Sequence, residues 1–271
     1  MHKLIVRSIS GFVFGSVLIF SILYSQTTFV TLFFILMMLC LYEFKRMIDI
    51  KSIFPYILGT LFFTFGNILN VTNNAYQEVF EFVGLVLFLT IFLTFASILL
   101  FTKKDDVIQH LGKIFLSVIY IVVPFTLIVQ IPFLNASFNY INTTILGVFL
   151  LIWTNDTFAF LVGKNFGKHK LLERISPNKT IEGFVGGMTF TFLASFAVAN
   201  QFPQLSLTQW IVIAAIVNVF GVLGDLIESM FKRQAGVKDS SNFIPGHGGF
   251  LDRFDSVIFA APFIFIYLQF V

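Results

Sequence analysis

Polar and charged side chains recur at steps of three or four residues along an otherwise apolar segment near the C-terminus. The residues are Asn218, Gly221, Asp225, Glu228, Ser229 and Lys232, followed by Arg233. This spacing places the stripe on one face of a helix. Such a face can simply pack membrane helices together, but packing rarely requires two acids, a hydroxyl and two bases. We therefore expect this helix to carry part of a functional site.

A glycine-rich segment follows this helix directly. It begins near Lys238, has Gly246-His247-Gly248-Gly249 at its centre and ends at Asp252-Arg253-Phe254-Asp255. Backbone N–H groups at glycine can approach a phosphate closely, and basic side chains neutralise its charge. Asp252 and Asp255 share one face where the last helix begins, and carboxylate oxygens suit Mg²⁺ that also binds substrate phosphates. This combination predicts metal-assisted phosphoryl or nucleotidyl transfer.

Cysteine and histidine form no recognisable zinc pattern. Cys40 is the one cysteine, and the four histidines, at positions 2, 110, 169 and 247, lack metal-ligand spacing. Three roles stay open for His247: catalytic base, phosphate donor, or structural part of the loop.

A second basic loop occupies residues 163–182. It is not a Walker A loop, because the glycine spacing differs and His169 stands where serine or threonine is required. Ser176 followed by Pro177 predicts the N-cap and first turn of a helix. Lys179 and Thr180, close to that helix start, would suit a phosphate.

The elements that must position these residues are membrane helices. Of the 271 residues, 57% are apolar and 11% charged, and the mean hydropathy is +0.91, which excludes a soluble globular protein. We predict an all-α, polytopic integral membrane protein with about nine transmembrane helices. The predicted spans are 9–25, 27–43, 54–72, 79–101, 114–134, 143–162, 183–200, 207–228 and 255–271. No long hydrophilic stretch is left for a nucleic-acid-binding module, so nucleic acid is not an expected partner.

The basic residues give the orientation of the chain. All 17 Lys and Arg residues fall in the N-terminal segment and in every second loop. Because Lys and Arg accumulate on the cytoplasmic side, the N-terminus and the loops 163–182 and 229–254 are expected in the cytoplasm. The predicted active site lies at the cytoplasmic side of the C-terminal half. We divide the chain into N-terminal membrane helices, 1–142, and a C-terminal catalytic membrane region, 143–271.

Two further features lie inside the predicted spans. Asp156 follows Asn155 in the span 143–162, and an ionisable group within a span is by default a functional candidate. Gly183 and Gly187, four residues apart, predict close helix packing.

Residues 229–255 form one continuous motif. It reads Ser229-x-Phe231-Lys232-Arg233-x4-Lys238-Asp239-x-Ser241-x2-Ile244-Pro245-x-His247-Gly248-Gly249-Phe250-x-Asp252-Arg253-Phe254-Asp255. This motif resembles the C-terminal signature of the phosphatidate cytidylyltransferases, also called CDP-diacylglycerol synthases. Similar upstream blocks are Trp153-x-Asn155-Asp156, Gly163-x3-Gly167-Lys168 and Ser176-Pro177-x-Lys179-Thr180-x-Glu182-Gly183. Phe160 departs from many relatives, which carry tyrosine there.

The resemblance implies that CTP and phosphatidate react to give CDP-diacylglycerol and pyrophosphate. It implies that Mg²⁺ is required, with a monovalent cation, often K⁺, as a second cofactor. It also implies a cell (inner) membrane protein surrounded by membrane lipid, and a homodimer.

On this resemblance we expect three groups of site residues. The expected catalytic residues are Asp225, Ser229, Lys232, Arg233 and Asp252. The expected substrate-binding residues are Ser176, Lys179, Thr180, Lys238, His247, Gly248, Gly249 and Arg253. The expected metal ligands are Asp225, Asp252, Asp255 and Asp156.

Two other classes match parts of the pattern. Buried acids and glycine-interrupted helices also mark membrane transporters, so a transporter with a cytoplasmic phosphate or cation site is the alternative. Transporter motifs, however, favour mid-membrane positions in two matching halves. A CDP-alcohol phosphotransferase would require an aspartate-rich run with Asp-Gly and Ala-Arg, which this sequence lacks.

Overall fold

The computed structural model describes residues 2–71, 93, 107–134 and 139–271. Most regular structure in these ranges is helical. The helices are α1 (His2–Tyr24), α2 (Gln26–Met47), α3 (Phe54–Val71), α4 (Val107–Ser117), α5 (Val123–Gln130), α6 (Asn142–Phe166), α7 (Ile181–Gln201), α8 (Leu207–Ile216), α9 (Val222–Gln234) and α10 (Leu251–Gln269). Two π-helical turns, Val118–Val122 and Val217–Gly221, connect α4 to α5 and α8 to α9, and a 3₁₀ turn, Ile131–Phe133, ends α5. The strands are β1 (Lys170–Leu172) and β2 (Ser176–Thr180).

Five described helical segments are long and apolar enough to cross a membrane. They are Gln26–Met47, Val107–Phe133, Asn142–Phe166, Ile181–Gln201 and Leu207–Gln234, and each overlaps a predicted span. Helix α1 contains a shorter apolar stretch, Ser8–Tyr24, while α3 and α10 overlap the predicted spans 54–72 and 255–271. The span predicted at 79–101 lies outside the described residues. The chain is thus a largely helical, multi-pass membrane protein.

Phe254 anchors the start of α10 in the core. Its buried ring lies 5.3 Å from Phe125 of α5, 6.0 Å from Phe33 of α2 and 6.5 Å from Phe149 of α6, measured between ring centroids. Because Phe254 stands between Asp252 and Asp255 in the sequence, this packing fixes the backbone positions of both aspartates.

Helices α6 and α7 pack through glycine. A Cβ atom at Gly183 would lie 2.7 Å from the carbonyl oxygen of Ala159, and one at Gly187 would lie 2.9 Å from Oδ1 of Asn155 and 3.0 Å from Cβ of Ala159. Neither position leaves room for a side chain. The predicted close packing at Gly183 and Gly187 is therefore confirmed.

The basic loop after α6 forms a short antiparallel hairpin, in which Ser176 lies opposite Leu172. The prediction that Ser176 and Pro177 begin a helix is therefore wrong. Proline has no N–H to donate to a ladder, so within sheets it is confined mainly to edge strands, such as those of a two-stranded hairpin. The same Ser-Pro pair thus suits a strand as well as a helix start, and pairing with β1 selects the strand.

Helix α7 begins at Ile181, just after the hairpin. Its N-cap is Thr180, whose Oγ1 accepts a hydrogen bond from the N–H of Gly183 at 3.1 Å. The Glu182 carboxylate accepts from the backbone N–H groups of Lys168 and His169 at 3.0 and 3.2 Å. These contacts hold the hairpin against the start of α7.

The π-helical turn Val217–Gly221 divides the predicted polar stripe into two parts. Within the turn, Asn218 accepts a hydrogen bond from Nδ2 of Asn155 on α6, and both residues are buried. Beyond the turn, Asp225 and Lys232 face the cavity described below. π turns inside α-helices are frequent at functional sites.

We expect Gly187→Ala to lower the free energy of unfolding by about 1–3 kcal/mol, because the methyl group would press on Asn155 and Ala159. Gly15→Ala is the matched control, since nothing lies within 4 Å of a Cβ atom at Gly15. Alanine's higher helix propensity should leave that variant unchanged or slightly more stable. Denaturant unfolding in detergent micelles, followed by circular dichroism, measures both. Equal midpoints for the two variants would contradict tight packing at Gly187.

Candidate active site

A cavity of about 630 Å³ lies between α6, the hairpin, α7, α9 and α10. Eight of the residues predicted to form the site line it: Asp156, Lys179, Thr180, Asp225, Lys232, Asp252, Arg253 and Asp255. Acidic and basic side chains from separate elements therefore face one common space.

The more exposed ion pair of the cavity joins the hairpin to α9. Nζ of Lys179 lies 2.6 Å from Oδ2 of Asp225, and the two side chains are 24% and 32% exposed. The Ser229 hydroxyl, one helical turn beyond Asp225, donates to Oδ1 of the same carboxylate at 3.2 Å. Lys179 is thus held beside the cavity while water or a ligand can still reach it.

The more buried ion pair joins α9 to α10. Nζ of Lys232 lies 2.7 Å from Oδ1 of Asp252 and 2.5 Å from Oε2 of Glu228. The Glu228 side chain is fully buried, while those of Asp252 and Lys232 are 6% and 13% exposed. The ammonium group of Lys232 thus forms ion pairs with two carboxylates in a largely buried position.

The glycine-rich loop folds around the second oxygen of Asp252. Oδ2 accepts hydrogen bonds from the Gly249 N–H at 2.7 Å and from the Ser240 N–H at 3.0 Å, and the Ser240 hydroxyl oxygen also lies 3.0 Å from it. Gly248 has a φ of +81°, and a Cβ atom there would lie 2.5 Å from Oδ2 of Asp252. Glycine is required at this turn because the backbone approaches the carboxylate so closely.

Asp255 and Asp156 supply two more carboxylates to the same cavity. Oδ1 of Asp255 accepts from the N–H of Ser256 at 2.7 Å. Helices α9 and α10 approach so closely here that a Cβ atom at Gly224 would overlap the carbonyl oxygen of Asp255. Asp225 and Asp255 therefore occupy adjacent helices at a point of direct backbone contact.

The carboxylates suit a hard cation in part. Among the described residues, no three or more His, Cys, Asp or Glu side chains are grouped as a metal site. Mg²⁺, however, commonly binds one or two protein carboxylates and completes its coordination with water and substrate phosphates. Asp156, Asp225 and Asp255 offer oxygen ligands of that kind from three helices around one cavity.

Comparison with known proteins decides the family. Residues 5–271 match the model of the cytidylyltransferase family. The chain belongs to this family. It is 33% identical over 265 residues to the phosphatidate cytidylyltransferase of Bacillus subtilis (strain 168), an alignment that covers 97% of this chain and 96% of the relative.

Staphylococcal relatives are more similar over shorter stretches. The phosphatidate cytidylyltransferase of Staphylococcus aureus (strain COL) is 51% identical over 126 residues, which is 46% of this chain and 48% of the relative. That of Staphylococcus saprophyticus is 44% identical over 150 residues, or 52% and 57% of the two chains.

Several other residues expected from the family resemblance do not line the cavity. Nε of Arg233 donates to the Ile175 carbonyl at 3.4 Å and so connects the end of α9 to the hairpin turn. Nδ1 of His247 lies 2.8 Å from the Ser10 hydroxyl on α1. Besides Arg233 and His247, the expected residues outside the lining are Ser176, Ser229, Lys238, Gly248 and Gly249.

Among the lining residues that were not predicted as site residues are the charged Lys164 and Asp239 and the polar Asn178. Each lies within or next to a family motif, so its position relative to the motif is the signal that could have found it. Glu228 lies on the polar stripe four residues before Lys232, a spacing that favours an ion pair within a helix, and the structure shows that pair. Glu43 of α2, which contacts the glycine-rich loop, has no local sequence signal.

We expect Lys232→Met to lower the free energy of unfolding by about 3–5 kcal/mol, because it leaves the buried Glu228 carboxylate without a cation. Adding Glu228→Gln to that variant removes the uncompensated charge and should restore part of the loss. Lys168→Met is the control, since Lys168 is exposed and its change should shift stability by no more than about 0.5 kcal/mol. Thermal unfolding in detergent compares the three. A single variant as stable as the double would show that Glu228 does not depend on Lys232.

Proposed function

We propose that this chain is a membrane-bound phosphatidate cytidylyltransferase, which converts CTP and phosphatidate into CDP-diacylglycerol and pyrophosphate. The observation that carries the proposal is the pair of cation–carboxylate contacts, Lys179–Asp225 and Lys232–Asp252, that face one cavity. Membership of the cytidylyltransferase family supports it, as do relatives named for this activity.

The reaction requires charge neutralisation more than a strong base. An oxygen of the phosphatidate phosphate attacks the α-phosphorus of CTP, the bond to the bridging oxygen breaks, and pyrophosphate leaves with that oxygen. A phosphate monoester is already ionised at neutral pH, so it needs little activation. Positioning the two phosphates and neutralising their repulsion can supply most of the acceleration.

The two lysines suit different parts of this task. Lys179 is partly exposed and pairs with only one carboxylate in the described residues, so a substrate phosphate can compete for it. Lys232 is held between two carboxylates and provides a fixed positive charge at the cavity wall. Arg253 and Lys164, also on the lining, add basic groups for the triphosphate.

Mg²⁺ is the cofactor that these carboxylates would suit, with one or two protein ligands drawn from Asp225, Asp255 and Asp156. When bound, the cation would neutralise charge on the phosphates of CTP. Asp252 is the less suitable ligand, because its side chain is only 6% exposed and its oxygens already accept from Lys232 and from the N–H groups of Ser240 and Gly249. K⁺ as a second cation and a homodimeric assembly stay predictions.

The proposed routes of the substrates follow from the surroundings of the cavity. Phe160 and Phe184 line it beside the charged groups, and the Phe160 side chain is 66% exposed. Such an apolar wall suits the acyl chains of a lipid that enters sideways from the bilayer. CTP would arrive from the cytoplasm, because the Lys and Arg pattern predicts both site loops on that side. The proposal keeps about nine spans in the cell membrane.

Purified protein in detergent should release pyrophosphate only when CTP, phosphatidate and Mg²⁺ are all present. Asp252→Asn should lower the rate about 10²–10³-fold, because the variant loses the charge that holds Lys232 and the loop. Glu173→Gln makes the same chemical change on the exposed hairpin turn and should retain the full rate. Enzyme-coupled detection of pyrophosphate gives the measurement. Release of CMP instead of pyrophosphate would refute the proposed function. An unchanged rate in Asp252→Asn would refute the role of Asp252.

A further inference from the structure

Glu43 of α2 is a buried carboxylate outside every motif of the C-terminal region. Its side chain is fully buried, and it accepts four hydrogen bonds, all from residues 240–251. Among the described residues, no Lys, Arg or His forms an ion pair with it. A buried carboxylate without a cation is costly unless hydrogen bonds satisfy it, so the four donors hold this group in place.

The four donors come from both ends of the glycine-rich loop. At the beginning of the loop, the hydroxyl groups of Ser240 and Ser241 donate to Glu43 at 2.9 and 2.6 Å. At the end, the N–H groups of Phe250 and Leu251 donate at 3.0 and 2.8 Å. Phe250 is the N-cap of α10 and makes no side-chain cap of its own. Glu43 therefore caps α10 from another helix and closes the loop at the same point.

Ser240 connects Glu43 to the active site. Its hydroxyl oxygen lies 2.9 Å from Oε2 of Glu43 and 3.0 Å from Oδ2 of Asp252, and its N–H also donates to Asp252. Oδ1 of the same aspartate holds Lys232. A Cβ atom at Gly249 would overlap both the Ser240 hydroxyl and the Glu43 carboxylate, so the packing around this contact is tight.

We propose that Glu43 is a positioning residue for the transfer reaction. It fixes the loop so that Asp252, and through it Lys232, holds the orientation that the reacting phosphates require. This inference rests on the proposed function, because the reaction that Glu43 supports is the proposed one. Glu43 does not line the cavity, so it acts only through the loop.

The geometry also explains why a carboxylate is needed. Each oxygen of Glu43 accepts two hydrogen bonds: Oε1 from Ser241 and Phe250, and Oε2 from Ser240 and Leu251. A glutamine has the same shape but only one acceptor oxygen, so its amide N–H₂ would face a backbone N–H, which cannot accept, and a serine hydroxyl, which would have to rotate. Glu43→Gln therefore disturbs the loop without leaving a cavity.

The experiment compares wild-type protein, Glu43→Gln and Asp49→Asn in the pyrophosphate-release assay, with the folded fraction of each measured by size-exclusion chromatography and thermal unfolding. Asp49→Asn is the matched control, because it makes the same acid-to-amide change on an exposed residue just beyond α2. We expect kcat per folded molecule to fall about 10-fold to 100-fold in Glu43→Gln, as for other hydrogen-bonded supports of a site, and to stay at the wild-type value in Asp49→Asn. The KM for CTP should change much less, since the effect falls on the transition state.

A double-mutant cycle with Ser240→Ala tests the path of the effect. If Glu43 acts through Ser240, Glu43→Gln should lower kcat less in the Ser240→Ala background than in the wild type. A purely structural role predicts a lower unfolding temperature with an unchanged kcat per folded molecule, and that result would overturn the proposal.

The controls separate this inference from the proposed function. An inactive wild-type protein would count against the proposed function, and this inference would fall with it. An active wild type with an equally active Glu43→Gln would refute the role of Glu43 alone. If Glu43→Gln does not fold, Ser241→Ala removes one donor from Glu43 and decides instead: we expect kcat to fall roughly 2-fold to 10-fold, and a wild-type kcat would overturn the proposal.

Discussion

The contact of Lys232 with both Glu228 and Asp252 is the constraint on which the rest of the site depends. One ammonium group lies between two carboxylates, and all three side chains are largely withdrawn from water. Charges in such surroundings are tolerated only when further polar groups satisfy them. The N–H groups of Ser240 and Gly249 do so for Asp252. The glycine-rich loop therefore folds back over the start of α10, where it donates hydrogen bonds both to Asp252 and to Glu43.

Apolar packing sets the positions of the helices that carry these charges. Phe254 is held by aromatic rings from four other helices, so the first turn of α10 cannot rotate without disrupting the core. On the neighbouring helix, Gly224 allows α9 to touch the backbone of Asp255. Close approach through small residues is a common way to pack membrane helices, because lipid offers no hydrophobic driving force between them. The same contacts that stabilise the bundle thus bring Asp225 and Asp255 to adjacent positions.

Much of the site could be predicted from the sequence, since helical periodicity and the expense of charges in a membrane restrict the choices. Asp225, Lys232 and Asp252 reach one cavity, as the spacing along α9 and at the start of α10 predicts. The Ser176-Pro177 start of a helix was wrong, because this pair fits either a helix cap or an edge strand and only pairing with β1 decides. Glu43 could not be predicted, since it is 197 residues from its partner Ser240 and belongs to no local pattern.

The unequal exposure of the two ion pairs gives them different physical roles. Lys232 and Asp252 are 13% and 6% exposed, so separating them in the low-dielectric interior would be unfavourable, and they behave as a fixed frame. Lys179 and Asp225 are 24% and 32% exposed, so water can replace either partner at small expense. On the proposed function, an arriving phosphate would take Lys179 from Asp225 and free that carboxylate for a cation. Under the same proposal, Lys232 and Asp252 would keep their arrangement while Lys179 and Asp225 exchange partners. Charge that is fixed in advance in this way contributes to catalysis.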